Sequence, residues 1–508
     1  MGQKFITSRP INWIINDRRP GALLCVLGAS SVYLLTMART VQGFDSAEMT
    51  MGAFTLGFVH PPGYPLYMLL GHLFAQVPVG NVGFRLNLMS VVFGALTTSM
   101  LYKLLFAQTR DGLASFVCTF LFATAPVFWS QTLRAEVYTL HTFLIVSTLL
   151  AWFYAHRHGQ VYLYVVCFIL LGVGMGNHLT TALLWGSILI CAIWDSPRWQ
   201  KISAGATLLG LALAAALYLY FPWRSSSELQ VDYIRSYFDV DMSSLNGLWW
   251  LISAQVFQHA FHFPDIPTLL QEIFHWVAWM WDNLLGIGLI LSVWGWRRVR
   301  QKFPRWNRLL NVYFLINLVA FISYRVIDKE VMFIPMIATV VVWMAHGIGE
   351  LVDWITLRLQ TPGHRRINTR VNSTLLLVIA IGMGINWPAM DLSQNRRVYD
   401  FSTRLLDQVE PSTMIVNYWI TASAVDYLQI VEGRRPDVIN FNLDFYNLAL
   451  RAQSDTRDNA SARQQTWFAW LRNQLKHRPL CFIEPLPAIP DDLRWVQQSV
   501  CWKLVPEG

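Results

Sequence analysis

The chain has 508 residues, of which 54% are hydrophobic and only 14% charged, with a net charge of +8 and a mean hydropathy of +0.37. This balance excludes an ordinary soluble globular domain. The basic residues sit in short stretches between apolar runs, so the charge points to membrane topology and not to nucleic-acid binding. The chain reads as a polytopic integral membrane protein.

In chain order, Lys4, Arg9, Arg18 and Arg19 lead into an apolar run at 21–38 without a cleavage pattern, which predicts a retained first span. Just beyond it stand Phe44-Asp-Ser-Ala-Glu48, with two acids three residues apart, and His60-Pro-Pro-Gly-Tyr-Pro65. Ionisable groups beside a bilayer are costly and usually functional. Further apolar runs lie near 86–107, 112–131, 140–155, 161–177, 179–194, 203–221, 273–296, 309–323, 331–352 and 372–389. With the first they predict about eleven transmembrane helices.

The segment 64–79 is short and interrupted by Gly71 and His72. If it does not cross, Lys103, Arg110, Arg157, the 297–308 cluster and Arg358 to Arg370 all share the side of the N-terminus. The positive-inside rule then predicts a cytoplasmic N-terminus and makes 64–79 a juxtamembrane helix in the first outer loop. Trp194, Trp199, Trp223, Trp249 and Trp250 suit interfacial anchors.

This topology places Asp45, Glu48 and His60, the Arg134-Ala-Glu-Val-Tyr138 turn, Asn177-His178 and the Arg325-Val-Ile-Asp-Lys329 turn at the outer ends of spans. A transporter, the first rival reading, predicts ionisable groups and broken helices at the midplane instead. Residues 222–272 are too long and mixed for a simple turn, and are expected to fold over the site. Residues 390–508 lose the membrane composition and predict a soluble extracytoplasmic α/β domain beside the 1–389 membrane domain. Its strand-like stretches are 414–417, 437–441 and 480–483, with helices over 422–429 and 467–475. Cys481 and Cys501 are the two cysteines of this outer part, and a disulfide between them is one arrangement open to them. A second rival, a non-catalytic surface receptor or assembly factor, would place all function in this domain.

Gly43-Phe-Asp-Ser-Ala-Glu48, His60-Pro-Pro-Gly-Tyr-Pro65, Gly80-Asn81 and Arg85-Leu-Asn87 resemble the N-terminal signature of a bacterial membrane-protein family. The eukaryotic relatives of that family are transmembrane protein O-mannosyltransferases. Glu432-Gly-Arg-Arg-Pro-Asp-Val438 resembles a second family block. Relatives often carry Asp-Ser-Gly-Glu where this chain has Ala47. The resemblance implies a GT-C glycosyltransferase of the bacterial inner membrane, taking a hexose from a polyprenyl-phosphate carrier at the outer membrane face. The acceptor would be a hydroxyl on protein, lipid or glycan, and mannose is the sugar suggested by the relatives.

Such a transfer needs a base for the acceptor proton, cations for the departing phosphate and an apolar groove for the lipid. Asp45 is the expected general base, direct attack by the acceptor would invert the anomeric centre, and Glu48, three residues on, would orient the acceptor or tune Asp45. The competing reading makes Asp45 the N-cap and Glu48 the N3 residue of a capping box. His60, held by two prolines and Gly63, reads as a ligand contact or a structural turn. Arg134, Tyr138 and His141 share a face at helical spacing. With Glu136 they offer a cation, a carboxylate and a phenol; an interfacial ion pair with an anchoring Tyr138 is the alternative. His178 is a weaker contact. Arg325, then Lys329, are the phosphate candidates of the outer turn, with Arg224 behind them. No cofactor is required, although a divalent cation on Asp45 and Glu136 is compatible with these residues. His259 and His262 lack a third ligand for zinc. The chain has no Walker A loop, dinucleotide fingerprint or nucleophile elbow.

Overall fold

The computed structural model describes residues 19–326, 328–359, 364–453 and 460–507. Lys4, Arg9 and Arg18, used above for topology, lie outside the described residues.

The membrane part runs α1 (Arg19–Thr36), α2 (Asp45–Thr55), α3 (Pro65–Ala75), α4 (Val82–Thr109), α5 (Gly112–Thr124), α6 (Pro126–Thr132), α7 (Tyr138–His158), α8 (Val161–Met175), α9 (Thr181–Ala192) and α10 (Pro197–Tyr218). After the short α11 (Tyr220–Ser225), α12 (Tyr233–Phe238) and α13 (Leu245–Ile252) come α14 (Ile266–Asn283), α15 (Ile287–Lys302), α16 (Pro304–Ile322), α17 (Ile334–Leu359) and α18 (His364–Met390). All eleven predicted apolar runs fall on helices, and 64–79 forms the short α3. Among the described residues, five helices are long and apolar enough to cross a membrane, or up to seven if each bent pair is one span.

Two predicted runs are not straight. The run 112–131 bends by 67° between α5 and α6, where Pro126 cannot continue the ladder. The run 273–296, expected as one span, is broken by 101° between α14 and α15. There Leu285 and Gly286 adopt positive φ, and Asn283 Oδ1 accepts the Val127 N–H at 3.0 Å, joining the two breaks. Both breaks lie roughly 20–24 Å along their helices from the end carrying Asp111 and Lys302. α15 and α17 approach closely because Gly295 and Gly347 face each other's backbone, where an added Cβ would lie 1.9 Å from a carbonyl oxygen on each side.

The chain segregates charge between the two ends of this bundle. Arg157 stacks on Phe303 and Arg308 on Trp194, gathering basic residues at the end opposite Asp45.

Beyond α18 the chain forms α19 (Arg397–Gln408), β1 (Met414–Asn417), α20 (Trp419–Ile430), β2 (Ile439–Asn442), α21 (Leu443–Gln453), α22 (Ala460–Leu475), β3 (Leu480–Phe482), β4 (Leu493–Gln497) and β5 (Trp502–Pro506). The sheet order is β2-β1-β3-β5-β4, with β1 parallel to both neighbours and β5 antiparallel to both of its own. A disulfide joins Cys481 to Cys501. This domain docks through α20 onto α2: Val41 and Ala47 are buried in one cluster with Ala424, Val425 and Leu428. The 222–272 segment fills the remaining gap. Phe58 pairs with Asp232, while Tyr233 packs with Met51 and Phe445.

Candidate active site

α2 starts at Asp45 because Phe44 turns the chain sharply, at φ 57 and ψ −136. An L-residue pays on the order of 1–3 kcal/mol for such a conformation, which persists only where surroundings enforce it. The Phe44 ring lies edge-on to Trp419 of α20, with centroids 6.4 Å apart. The capping-box reading is thereby overturned. Phe44 is the N-cap residue, Asp45 is the first helical residue, and no side chain caps this terminus. The two acids are free for other work.

Glu48 is fully buried and held by three donor groups. Its carboxylate accepts the His60 backbone N–H at 2.6 Å, the Trp419 indole N–H at 3.2 Å, and His60 Nδ1 at 3.1 Å from both oxygens. His60 Nε2 in turn lies 3.0 Å from the Tyr64 hydroxyl. The prolines and Gly63 make this geometry possible: Gly63 takes φ +82 over the Phe221 ring, and Pro65 opens α3. Asp45, by contrast, accepts no hydrogen bond from any described residue and is only partly buried. One ligand atom each of Asp45, Glu48 and His60 fall within 4.8 Å of one another.

Electrostatics follow from this packing. Burial, with Glu48 and Asp328 adding to it against the pull of His60, raises the Asp45 carboxyl to about 6. Burial opposes the charged form of His60, but the Glu48 and Asp45 carboxylates outweigh it and hold the imidazole up at about 9. At neutral pH His60 is therefore held as the imidazolium. Burial also raises Glu136 to about 8, more than Arg134 lowers it. Arg134 Nε lies 3.3 Å from Glu136 Oε1, and its side chain is about one-third exposed, at 35%.

The other predicted residues divide into two groups. Arg134 precedes α7, so it does not share a helical face with Tyr138 and His141 as expected. The Glu136 turn is tied instead by Asn87, whose Nδ2 donates to Ala38 and Thr40 carbonyls at 2.9 and 3.1 Å while its Oδ1 accepts the Ala135 N–H at 2.7 Å. Tyr64, Tyr138 and His141 surround the His178 ring, at centroid distances of 5.9, 5.6 and 5.2 Å. His141 sits in the core on Thr180 and Thr181. Burial and the His60 charge lower His178 to about 4, so it is neutral.

In the outer turn, Asp328 couples electrostatically to Asp45, His60 and Glu136. Lys329 is paired with Glu272 at 2.5 Å, and Arg325 is exposed, its backbone N–H donating to Ala260. Arg224 donates to the Leu56 carbonyl at the end of α2. His259 and His262 join no metal-binding group among the described residues.

Sequence reasoning missed Trp419, which lies 371 positions from Glu48 and carries no local signal. Asp426, which accepts hydrogen bonds from Tyr233 and Asn440, was missed likewise. Tyr64 was legible only as part of the proline-rich turn. Arg85 and Asn81, quoted for the resemblance, are framework: Arg85 donates to carbonyls of Ala75, Val79 and Gly80, and Asn81 caps α4. The Glu432–Val438 block is also framework, Arg435 pairing with Asp437 and donating to the α19 carbonyl of Leu406.

Residues 45–203 match the family model described as the Protein O-mannosyl-transferase TMEM260 N-terminal domain. The chain is 20% identical over 469 residues to Protein O-mannosyl-transferase tmem260 of Dictyostelium discoideum and 23% identical over 449 residues to Protein O-mannosyl-transferase TMEM260 of Mus musculus. Each match covers 82% of this chain, which spans 56% and 62% of the length of those relatives. ArnT from Cupriavidus metallidurans, solved bound to undecaprenyl phosphate and in the apo state, superposes at a TM-score of 0.59 with 11% identity, over 95% of this chain and 97% of that one. The fold is that of ArnT, and the sequence is similar to the protein O-mannosyl-transferases.

Proposed function

We propose that this protein transfers a hexose, mannose by analogy with its relatives, from a polyprenyl-phosphate carrier to a hydroxyl of a protein acceptor outside the cytoplasm, with inversion. The observation that carries the reading is the contrast between the two acids of α2. Glu48 is fixed by donors from the His60 turn and from α20, while the neighbouring Asp45 carboxylate is unengaged and raised to about 6. A base with that value is ionised at neutral pH yet still basic enough to take a proton.

In the reaction, the acceptor oxygen attacks the anomeric carbon and its proton passes to Asp45. The bond from that carbon to the phosphate oxygen breaks, and the polyprenyl phosphate leaves with the electron pair. Arg134 and Arg325 are the cations available to it, while Lys329 stays with Glu272. Neutral Glu136 and Tyr138 would donate hydrogen bonds to the sugar. The carrier would enter by the cleft of about 640 Å³ where the two helix breaks meet, walled by Val127, Trp279, Trp281 and Met390. The bacterial inner membrane, with a cytoplasmic N-terminus, is the setting that fits this chemistry.

A divalent cation is not needed in this scheme. Both ring nitrogens of His60 are engaged, one by Glu48 and the other by Tyr64, so the imidazolium already occupies the place a metal would take. Transfer should survive EDTA.

The test is incubation of the full-length protein, wild type and Asp45→Asn, with radiolabelled polyprenyl-phosphate mannose or glucose and membrane extract, following label into protein, lipid and glycan. Asp45-dependent label in protein is expected. Full activity of Asp45→Asn would remove the base assignment, and carrier binding without any transfer would favour a transport role.

A further inference from the structure

At the end of the bundle away from Asp45, α4, α5, α15, α17 and α18 leave a cleft of about 520 Å³. The 28 residues of α4 separate the two ends by about 40 Å, so this cleft is no part of the transfer site. Its walls carry Arg298, Lys302 and Arg365, and His346 lines it, 3% exposed and with Nε2 lacking a hydrogen-bond partner.

The acids on the same walls are already committed. Asp353 accepts Arg298 Nη1 at 2.7 Å through one oxygen and lies 3.0 Å from His364 Nε2 through the other. Asp111 caps the Leu113 and Ala114 N–H groups at 3.0 Å, and its second oxygen accepts Asn368 Nδ2 at 2.7 Å. Lys302 and Arg365 have no carboxylate within ion-pair distance among the described residues. α18 also begins on this wall and adds the positive end of its dipole. The result is a roomy recess with surplus positive charge at a bundle end. Basic recesses between membrane helices hold anionic headgroups.

We propose that this cleft binds a phosphate group, presented by an anionic lipid headgroup of the adjoining leaflet or by a free phosphate anion. Lys302 and Arg365 supply the unmatched charge, and Arg298 stays anchored by Asp353.

Binding of phosphatidylglycerol, phosphatidylcholine and inorganic phosphate to the full-length protein in detergent, measured by native mass spectrometry and by thermal shift, tests this. Wild type should bind phosphatidylglycerol in preference to phosphatidylcholine. The double variant Lys302→Gln, Arg365→Gln should bind it about thirtyfold more weakly, each charge contributing a factor of about five. Both side chains are exposed, and if the double variant fails to fold, each single substitution should still show its own factor. Protection by inorganic phosphate with the same dependence would name the free anion as the source. Equal binding by wild type and variants to both anionic probes, or no preference over phosphatidylcholine, would overturn the proposal.

Discussion

At the Asp45 end of the bundle, Asp45, Glu48, Glu136 and Asp328 share one electrostatic field with the cations His60 and Arg134. At the far end, Arg298 bridges Glu350 and Asp353, and His364 takes the second oxygen of Asp353. The far end is half exposed and its acids are matched. The near end holds the buried Glu48 and Glu136 beside a partly buried Asp45, and its acids outnumber those cations. Burying unmatched carboxylates costs several kcal/mol unless other groups hold them, so the arrangement persists only because the Phe44 turn, the His60 loop and the docked α20 enforce it. On the proposed function, the acid excess held under such enforcement is where chemistry is expected, whereas the matched acids at the rim would serve topology.

The sharpest way to break this contrast is one substitution made at both ends. Asp45→Asn keeps shape and removes the base, and transfer should fall by about a thousandfold or more with an unchanged circular-dichroism spectrum. Asp353→Asn should leave the rate of transfer within about twofold. Comparable losses from both would mean that the near-end acids act on folding alone.

A smaller effect comes from pH. Asp45 must be ionised and His60 protonated, so the rate should climb as pH rises through about 6 and decline as it passes about 9. Each pH unit below the lower limb should cost about tenfold. The His60 ion pair, whose folded value lies above the free value of 6.5, contributes stability that is complete below about 6.5 and lost as pH passes about 9. A thermal midpoint insensitive to pH over that interval, together with a flat rate profile, would contradict the buried pair.

Local sequence made part of this visible. Apolar runs of span length fall on helices because the bilayer demands them, and the two acids followed by a proline-locked turn named three residues that the fold brings together. The breaks in 112–131 and 273–296 were hidden because hydropathy measures apolarity and not direction; Pro126 was the one available hint for the first. Trp419 was hidden for another reason. It reaches Glu48 only because α20 docks on α2 through Ala47, and a contact of such sequence separation leaves no periodic trace. The same docking explains the small residue at 47, where a larger side chain would lift α20 away from the site.

Trp419 gives the next smaller prediction. Trp419→Phe keeps a ring against Phe44, His60 and Phe445 but removes the N–H that Glu48 accepts. Loss of one hydrogen bond to a charged group is worth about 1.5–3 kcal/mol, so transfer should drop by roughly tenfold or more. The drop should appear in kcat more than in carrier KM, because the indole orients Glu48. A pure KM effect would place Trp419 in carrier binding instead.

The smallest effect belongs to the far end. Arg298→Gln removes the cation shared by Glu350 and Asp353, side chains that are 34% and 42% exposed, with Arg298 itself at 33%. Solvent screens such pairs, so the loss should stay within about 1 kcal/mol and shift the thermal midpoint by only a few degrees. The same removal of a partner at the near end, His60→Ala, leaves Glu48 buried beside Asp45 without its cation and should cost about 3 kcal/mol or more. Comparing the two thermal midpoints in one detergent tests the contrast directly: if Arg298→Gln destabilised as much as His60→Ala, the matched pairs at the rim would be holding the bundle together, and the acid-rich end would lose its claim to be the exceptional one.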